Sequence, residues 1–548
     1  MKFRLLIMLF GTACTFGVLI FNLYKIQITE GNTYLAKAES QYNASGTLEP
    51  RRGSIYFLDK YDNKIPAVLN RSYPIIFAVP IEVEDVEKAA SVLSEIFSIS
   101  KATLVKKLSK PKDQYELIET RVLDQQLEVI QTANLPGIYL SSQESRFYPF
   151  ATLASQVLGF VGENAEDGVL KGRYGLESEY DDQLRGERGQ SSLEDQIKPR
   201  HGNDLELTID RNIQARSEEI LKKIVDQFDA EGGSVIVQDP KTGKILALAN
   251  NPTFDPNAFA SFPVQNFLNP AVQNIYEPGS VFKVITMASG IDSGAITPQT
   301  TYVDTGTLSL NGRTIANWDK KAYGKISMTE VIENSVNTGA AFAVKATGRD
   351  TFYRYLQQFG FGKPTNIGLP GEVSGSLRTL EEDTKDINFA TASFGQGVSV
   401  TPIQLIAAMS AIGNKGVLMQ PYLLESNEPR IIRRVIKEET AKLVSQMMVS
   451  AVNKAEVAHI PGYKVAGKTG TAQVPARGGY SEELIHTFAG YVPVSDPQFT
   501  ILFKLDKPDK RLLAGATVVP AFRELAQFIL NYYTIPPDSL SQETIDNP

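Results

Sequence analysis

EPGSVFKVITMA, at residues 277–288, is the stretch of sequence that decides the fold. Pro278 and Gly279 end whatever precedes them and let a helix begin at Ser280. The residues that follow are apolar on nearly every side apart from Lys283, so they predict a buried helix. A lysine inside such a helix is costly unless it is used or paired.

Ser280 and Lys283 are spaced one helical turn apart on the same predicted face. The serine hydroxyl would stand at the positive end of the helix dipole, and burial would lower the pKa of the lysine amine. The pair is therefore a candidate nucleophile with its base. Because S-x-x-K is common by chance, a capping serine and a lysine that reaches solvent remain the better interpretation of this motif alone.

Two further short segments carry polar chemistry. Ser335 and Asn337 would point the same way on an extended backbone, as a proton shuttle and an amide donor. The segment KTGT, at residues 468–471, predicts an edge strand that binds an extended peptide, with Lys468 and the hydroxyls on its carboxylate. Taken singly, each segment is more often a cap, a turn or an ordinary loop.

The third segment also matches a phosphate-binding pattern. Gly462, Gly467, Lys468 and Thr469 satisfy G-x-x-x-x-G-K-T, which requires a hydrophobic strand before it and a helix after it. The sequence AQVPARGG, at residues 472–479, is a poor candidate for that helix. A nucleotide site is therefore disfavoured.

The composition is that of a folded globular protein. Of 548 residues, 42% are hydrophobic and 21% are charged, and the length allows about three or four domains. The formal charge of −7 gives no general attraction to nucleic acid. One cysteine and three histidines exclude a thiolate zinc site and leave little room for an all-histidine metal site.

The N-terminus predicts a membrane anchor. Lys2 and Arg4 precede an uncharged apolar stretch at residues 5–23, which is just long enough to span a bilayer with the N-terminus in the cytoplasm. A cleaved signal peptide fits less well, because no small-residue cleavage site follows closely. A lipoprotein signal ending at Cys14 would require an aliphatic residue where Gly11 stands.

After the anchor the chain divides into two blocks near residue 202. The first is polar, with short β-type runs and an amphipathic helix at 84–97. The elements predicted for the second are a strand at 205–209, a helix at 213–228, a β-hairpin at 234–249, helices up to about residue 409, strands at 488–492 and 500–505, and a last helix at 521–532. One sheet built from both ends of this block, in an α/β layer, is therefore expected.

The three short segments together form a known set. S-x-x-K, S-x-N and K-T-G, spaced by 55 and 133 residues, are the type of set found in penicillin-binding proteins. Over nearly its full length the chain resembles the class B, monofunctional penicillin-binding proteins, above all the cell-division (septal) transpeptidases. The matching stretches are RRGSI (51–55), YGLE (174–177), LTID (207–210), EPG (277–279), GQG (395–397), TPIQ (401–404) and KTGTAQ (468–473).

The resemblance implies an α/β (α+β) architecture. Its parts would be a cytoplasmic stub and transmembrane anchor (1–28), an elongated pedestal of the dimerisation type (29–202), a transpeptidase domain (203–535) and a disordered tail (536–548). The transpeptidase domain would be a penicilloyl-serine transferase fold with a five-stranded antiparallel sheet flanked by helices. No glycosyltransferase domain precedes it, so a partner is expected to polymerise the glycan.

The resemblance also implies catalytic roles. Ser280 would attack the carbonyl between the two terminal D-alanines of a peptidoglycan stem peptide, and Lys283 would take its proton. Ser335 and Lys468 would relay protons to the leaving D-alanine. Asn337 would hold the substrate amide and the base in place. No metal or organic cofactor is needed for this chemistry.

The third segment would bind substrate. Thr469, Gly470 and Thr471, which follow Lys468 in this segment, would be the substrate-binding residues, and the two threonines would grip the terminal carboxylate. The backbone N–H groups of Ser280 and Thr471 would form the oxyanion hole. Val336, inside the second segment, would point away from the pocket.

The resemblance extends to partners and location. The substrate would be stem peptides of lipid II-derived glycan, and β-lactam antibiotics would acylate the same serine. The expected partners are a multi-span glycosyltransferase and other division proteins. The protein would be a single-pass component of the cytoplasmic membrane, with its N-terminus inside and its catalytic domain on the outer or periplasmic side.

Other functional classes stay open. A D,D-carboxypeptidase or a β-lactamase would use the same site with water as the acceptor, although no deacylating base is evident. A β-lactam sensor or an inactive division scaffold would be a binding module instead. The sequence does not decide between division and elongation. His486 is expected to make a structural hydrogen bond, and Trp318 either lines the peptide groove or packs.

Overall fold

The computed structural model describes most of the chain. The described residues are 15–19, 21, 24–25, 47–48, 50–111, 113, 115–120, 122–163, 170–191, 196–476, 478–509 and 512–538. Most of the predicted anchor, residues 1–28, and of the predicted tail, residues 536–548, lies outside them. Among the described residues, no helix has the length and apolarity needed to cross a bilayer.

The strands alternate with helices along most of the chain. In chain order they are β1 (Thr47–Leu48), β2 (Ile55–Leu58), β3 (Ile65–Ala78), β4 (Glu116–Glu119), β5 (Ile138–Phe147), β6 (Val161–Glu163), β7 (Leu170–Gly172), β8 (Gly189–Ser191), β9 (Gln196–Ile197), β10 (Leu205–Asp210), β11 (Gly232–Gln238), β12 (Ile245–Asn251), β13 (Thr301–Asp304), β14 (Thr307–Leu310), β15 (Arg313–Ala316), β16 (Gly324–Ser327), β17 (Val417–Met419), β18 (Ile431–Arg434), β19 (Ala466–Ala476), β20 (Gly479–Val492) and β21 (Phe499–Asp506).

The helices concentrate between the first and last strands of the second block. They are α1 (Val86–Ile96), α2 (Lys101–Leu108), α3 (Asp124–Ala133), α4 (Ser155–Leu158), α5 (Gly175–Glu179), α6 (Asp181–Arg185), α7 (Arg211–Gln227), α8 (Pro270–Gln273), α9 (Lys283–Asp292), α10 (Met328–Glu333), α11 (Asn337–Thr347), α12 (Arg349–Gln358), α13 (Arg378–Glu382), α14 (Asp386–Ala392), α15 (Pro402–Gly413), α16 (Glu438–Ala455) and α17 (Ala514–Tyr532).

The described residues form two compact units. One takes Asp182–Asn203 with the residues up to Gly53, and it holds a small three-stranded sheet in the order β1-β8-β9. The other takes Ser54–Asp181 and the residues from Asp204 onwards. These units do not follow the predicted boundary at residue 202, which stays a prediction.

The larger unit begins with a mixed sheet. Its order is β10-β2-β3-β4, with β5 also paired to β3, and β10 runs parallel to β2 while the other pairs are antiparallel. Helix α1, predicted at 84–97, is confirmed at Val86–Ile96, and the side chain of Asp85 caps it by accepting from the N–H of Lys88. The buried Arg146 and Glu177 form an ion pair at 2.8 Å beside this sheet.

A second, five-stranded sheet forms the centre of the larger unit. Its order is β12-β11-β21-β20-β19, and each neighbouring pair is antiparallel, with irregular register near Val237 and Gln473. Residues 232–238 pair directly with residues 500–506. The sequence prediction that both ends of the second block build one sheet is therefore confirmed.

Helices cover both faces of this sheet. On one face α7 and α17 pack through buried residues such as Leu221 and Phe522 against Val235 and Phe503 of the strands. On the other face α15, which is buried along nearly its whole length, contacts β11 and β21. Because both faces are covered, all seven residues of β11 are buried, and the core follows the sheet.

The last helix starts earlier than predicted. The predicted start at Ala521 is wrong, because α17 already begins at Ala514 and holds Pro520 within it. Proline removes one helical hydrogen bond and normally disfavours a helix interior. Here Val518, Val519 and Phe522 are buried against the sheet. Burial of this apolar face therefore outweighs the lost bond.

Candidate active site

The turn that carries Ser280 leads directly into helix α9. A short 3-10 turn, Gly279–Phe282, precedes Lys283, so the helix predicted from Ser280 begins as this tighter turn. Gly279 has φ +61°, which glycine adopts without strain, and its N–H donates to the backbone oxygen of Gly395 at 3.2 Å. Val281 and Phe282 are fully buried and fix the turn. Ser280 itself stays partly exposed.

Lys283 is buried at the centre of the site. Its Nζ lies 2.5 Å from the backbone oxygen of Ser335 and 2.8 Å from Oδ1 of Asn337. Both oxygens can only accept, so they take two N–H bonds. The same Nζ lies 3.0 Å from Oγ of Ser280. Once it is neutral, the amine is close enough to accept the proton of the serine hydroxyl.

The surroundings of Lys283 favour that neutral form. Burial holds the pKa of the Lys283 amine well below its usual range, and the positive charge of Lys468 lowers it further. Burial also lowers the pKa of Lys468 to about 8. The two lysines therefore differ, with Lys283 disposed to act as a base and Lys468 to keep its charge at neutral pH.

Ser335 lies in a loop between helices α10 and α11. The extended backbone on which the sequence interpretation was conditional is not found at this residue, because Ser335 has a left-handed φ of +57°. This conformation directs the backbone oxygen towards Lys283, while Oγ lies 3.2 Å from the Nζ of the same lysine. Val336 is buried with Met287 and Val331, as expected for a side chain that points away from the pocket.

Asn337 is the first residue of helix α11. Its Nδ2 donates to the backbone oxygen of Ala316 at 2.9 Å, and its Oδ1 accepts from Lys283. The amide is therefore held at both ends, between Lys283 and the last residue of strand β15.

The third segment lies on β19, the edge strand of the five-stranded sheet. Nζ of Lys468 lies 3.1 Å from Oγ of Ser335, so this serine bridges the two buried lysines. The same Nζ lies 3.2 Å from the backbone oxygen of Thr469 and 3.3 Å from its hydroxyl. The edge position that the sequence predicted for this segment is confirmed.

Gly470 determines how closely β19 approaches the turn of Ser280. A Cβ atom at this position would lie 2.5 Å from the backbone oxygen of Pro278, which no real side chain tolerates. The neighbouring oxygen of Thr471 lies 3.0 Å from where a Cβ on Gly279 would be. The backbone oxygen of Thr471 therefore lies close to the turn of Ser280.

Strand β19 is also incompatible with the structure of a phosphate-binding loop. That motif requires a helix after the lysine and threonine, whereas β19 continues from Ala466 to Ala476 and pairs with β20. The backbone turns at Gly462 but is extended from Ala466, so Gly467, Lys468 and Thr469 lie on a strand. Residues 466–476 therefore lack the loop and following helix that the motif requires.

The structure brings all five predicted catalytic side chains together. Hydrogen-bond distances connect Lys283 to Ser280, Ser335 and Asn337, and connect Ser335 to Lys468. The predicted substrate-binding residues 469–471 border this cluster on the edge strand. Among the described residues, no group of three or more histidine, cysteine, aspartate or glutamate side chains is placed to hold a metal ion.

Sequence reasoning missed a set of hydrogen bonds, made by Glu277, next to the turn that carries Ser280. The buried carboxylate of Glu277 accepts from the N–H of Gly397 at 2.9 Å and from the hydroxyl of Tyr480 at 2.9 Å. Burial raises the pKa of this carboxyl. It ties the turn of Ser280 to the GQG loop and to strand β20. Its place in the EPG stretch at 277–279 was the signal that the sequence offered.

Two side chains left open by the sequence have defined contacts. His486 is fully buried on β20, and its Nδ1 lies 2.8 Å from the hydroxyl of Thr517, in line with the expected structural hydrogen bond. Trp318 is 56% exposed, and its Nε1 donates to the backbone oxygen of Asn334 at 3.1 Å. The indole therefore lies beside the loop of Ser335.

Comparison with known proteins agrees with this geometry. Residues 233–527 match the penicillin-binding protein transpeptidase domain, and residues 47–211 match the penicillin-binding protein dimerisation domain. Stage V sporulation protein D of Bacillus subtilis is 32% identical over 541 residues, which cover 92% of this chain and 82% of that protein. Peptidoglycan D,D-transpeptidase FtsI of Buchnera aphidicola is 28% identical, with coverage of 88% and 90%.

Solved structures show the same likeness. Penicillin-binding protein 3 of Mycobacterium tuberculosis, complexed with aztreonam, has a TM-score of 0.70 at 26% identity, covering 90% of this chain and 98% of that one. Penicillin-binding protein 2X of Streptococcus thermophilus has a TM-score of 0.73 at 24% identity, covering 89% and 81%, and shows the shared fold. The chain belongs to the penicillin-binding protein transpeptidase family. Within that family it is a class B penicillin-binding protein.

Proposed function

We propose that this protein is a peptidoglycan D,D-transpeptidase that works through an acyl-enzyme on Ser280. The observation that carries the proposal is the position of Lys283, whose Nζ faces the serine hydroxyl while two carbonyl oxygens hold its N–H groups. A lysine with a lowered pKa in this position is an activating base for a serine nucleophile.

In the acylation step, Oγ of Ser280 forms a bond with the carbonyl carbon between the two terminal D-alanines of a stem peptide. The hydroxyl proton passes to Nζ of Lys283. The C–N bond to the last D-alanine then breaks, and its amine receives a proton through the hydroxyl of Ser335. That hydroxyl is suited to the relay because it lies within 3.2 Å of both lysine Nζ atoms.

Substrate binding uses the edge strand. The charged Lys468 and the hydroxyls of Thr469 and Thr471 bind the terminal carboxylate, and the peptide lies alongside β19. The backbone N–H groups of Ser280 and Thr471 stabilise the oxyanion. Support for this arrangement comes from Gly470, because a side chain there would push the strand away from the turn.

The transfer step completes the cross-link. An amine of a neighbouring stem attacks the acyl carbon, the bond to Oγ of Ser280 breaks, and the surplus proton of the amine returns to that oxygen through Lys283. A β-lactam acylates the same serine and leaves slowly. The relative solved in complex with aztreonam supports this use of the site.

The cellular setting is part of the proposal. The apolar stretch at residues 5–23 anchors the protein once in the cytoplasmic membrane, with the catalytic domain on the outer side. A multi-span glycosyltransferase supplies the glycan strands. Among the relatives, the D,D-transpeptidase named FtsI supports a role in cell division, and a septal position of a fluorescent fusion tests it.

Gel labelling with a fluorescent penicillin tests the nucleophile. Wild-type protein is expected to be labelled, and Ser280→Ala is expected to lose the label completely. The exposed Ser261 offers a matched control, since Ser261→Ala leaves the site untouched. Equal labelling of wild type and Ser280→Ala would place the nucleophile elsewhere, and no labelling of either would favour an inactive scaffold.

Product analysis separates transfer from hydrolysis. Purified protein supplied with glycan strands that carry pentapeptide stems is expected to give dimeric muropeptides. Trimmed monomeric stems alone would indicate a D,D-carboxypeptidase, because water would then be the acceptor. Loss of either product in Ser280→Ala would show that it arises at this site.

A further inference from the structure

A nested pair of hairpins lies against Asn337, at the start of helix α11. Strands β13 and β16 form the outer hairpin, and β14 and β15 form the inner one. The inner hairpin ends at Ala316, whose backbone oxygen accepts from Nδ2 of Asn337 at 2.9 Å. This contact decides which end of the amide faces Lys283, since an oxygen acceptor can only pair with the NH2 end.

The position of Ala316 is set by its neighbour, Asn317. Asn317 is buried, and its Nδ2 donates to Oδ2 of Asp304 and to the backbone oxygen of Lys321, each at 2.9 Å. Its Oδ1 accepts from the N–H of Thr338 at 3.3 Å. One side chain therefore links the hairpin to the start of helix α11.

Asp304 is the centre of this network. It is 2% exposed, and its carboxylate accepts from four neutral donors. They are Nδ2 of Asn317 at 2.9 Å, the N–H of Tyr323 at 2.8 Å, the N–H of Gly306 at 3.1 Å and the hydroxyl of Thr338 at 2.6 Å. A buried carboxylate with this many donors is a rigid support, because losing any acceptor leaves a buried donor unpaired.

We infer that Asp304 is a positioning residue, which acts through Asn317, Thr338 and the oxygen of Ala316 to hold the amide of Asn337 against Lys283. The inference rests on the proposed acyl-transfer function. Asp304 itself contacts neither Ser280 nor the lysines in the hydrogen-bond network of the described residues. Asp304 affects the reaction by keeping Asn337 and Lys283 in place, because a displacement of about 1 Å at a reacting group can lower the rate by about 100-fold.

The test measures the acylation rate constant separately from reversible penicillin binding, by stopped flow with a fluorescent penicillin. Asp304→Asn and Thr338→Val are expected to lower the acylation rate constant of the folded protein by about tenfold or more. Thr338→Ser keeps the hydroxyl and is expected to have an acylation rate constant close to that of the wild type. Retention of the wild-type rate constant by Thr338→Val would overturn the inference.

Thr440→Val is the matched control. Thr440 is a buried threonine whose hydroxyl donates to a carboxylate, that of Asp292, at 2.8 Å and away from the catalytic cluster. The Thr440→Val variant is expected to lower the melting temperature about as much as Thr338→Val does, while leaving the acylation rate constant unchanged. If both variants slow acylation equally, Asp304 and Thr338 contribute only to general stability.

A double-mutant comparison excludes a purely structural role. If Asp304 acts through Asn337, then Asp304→Asn has no further effect on the acylation rate constant of an Asn337→Ala protein. Full additivity of the two losses would overturn the inference. Absence of labelling in the wild type would instead disprove the proposed function, so the two failures are distinguishable.

Discussion

The backbone oxygen of Ser335 lies 2.5 Å from Nζ of Lys283, and it reaches this atom because Ser335 adopts a left-handed conformation. The conformation is uncommon for a residue with a side chain. One residue therefore offers a carbonyl oxygen to the base and a hydroxyl to both lysines. Substitutions of Ser335 can separate the effect of its backbone conformation on stability from the effect of its hydroxyl on acylation.

Ser335→Gly and Ser335→Ala are expected to lose acylation to a similar degree, because both remove the hydroxyl relay. They are expected to differ in stability. Alanine at this φ costs about 1 kcal/mol that glycine does not, so the glycine variant should melt at a higher temperature. Stopped-flow acylation and thermal melting measure the two effects. An alanine variant as stable as the glycine variant would contradict the assigned conformation.

Lys283→Met is expected to lower the acylation rate constant by about 100-fold to 10,000-fold, the usual contribution of a positioned base. The reason is that methionine fills a similar volume but has no lone pair able to take the proton of Ser280. Lys442→Met, at an exposed position of α16, is the control and should acylate normally. The kinetics are measured with a fluorescent penicillin. Near-normal acylation by Lys283→Met would assign the base to another group.

The pH dependence of acylation is expected to be bell-shaped. The rate rises with pH as Lys283 loses its proton, and the midpoint lies well below 10.5 because burial and Lys468 lower that pKa. It falls above about pH 8, where Lys468 loses the charge that binds the carboxylate. The second-order acylation constant, measured from pH 5 to 10 in buffers of constant ionic strength, reports both limbs.

Lys468→Arg identifies the descending limb. Arginine keeps its charge throughout this range, so the fall near pH 8 should disappear while carboxylate binding persists. If the descending limb stays in place, a group other than Lys468 causes it.

Gly470→Ala is expected to reduce acylation by about tenfold or more, because its Cβ would collide with the oxygen of Pro278 and displace β19 from the turn of Ser280. Gly515→Ala is the control. A Cβ at Gly515 meets nothing within 4 Å, and alanine suits a helix better than glycine does. Acylation kinetics and melting temperature compare the two. Equal behaviour of both variants would contradict the close approach at Gly470.

His486 is expected to make stability depend on pH. Burial lowers its pKa from 6.5 to about 4, so its contribution is complete above about pH 6.5 and is lost as the pH falls towards 4. His486→Gln should flatten the fall in melting temperature over this range. His459→Gln, at an exposed position, should leave that fall unchanged. An identical pH profile for wild type and His486→Gln would disprove the assignment.

Regular elements were the part of the fold that the sequence predicted well. The helix at α7 and the hairpin of β11 and β12 follow from apolar periodicity and turn residues within short windows. The start of α17 was not predictable, since Pro520 is a local signal against a helix. Burial of the helix on the sheet reversed that signal, and such burial depends on residues far away in the sequence.

The sequence by itself determined the chemical groups of the site, because two hydroxyls, two amines and an amide are properties of residue types. It also determined their order and spacing along the chain. Only the tertiary structure decided the conformation of Ser335, the orientation of the Asn337 amide on the oxygen of Ala316, and the links made by Glu277 and Asp304. These features depend on contacts between distant segments, which local propensity cannot encode because packing of the whole core fixes them.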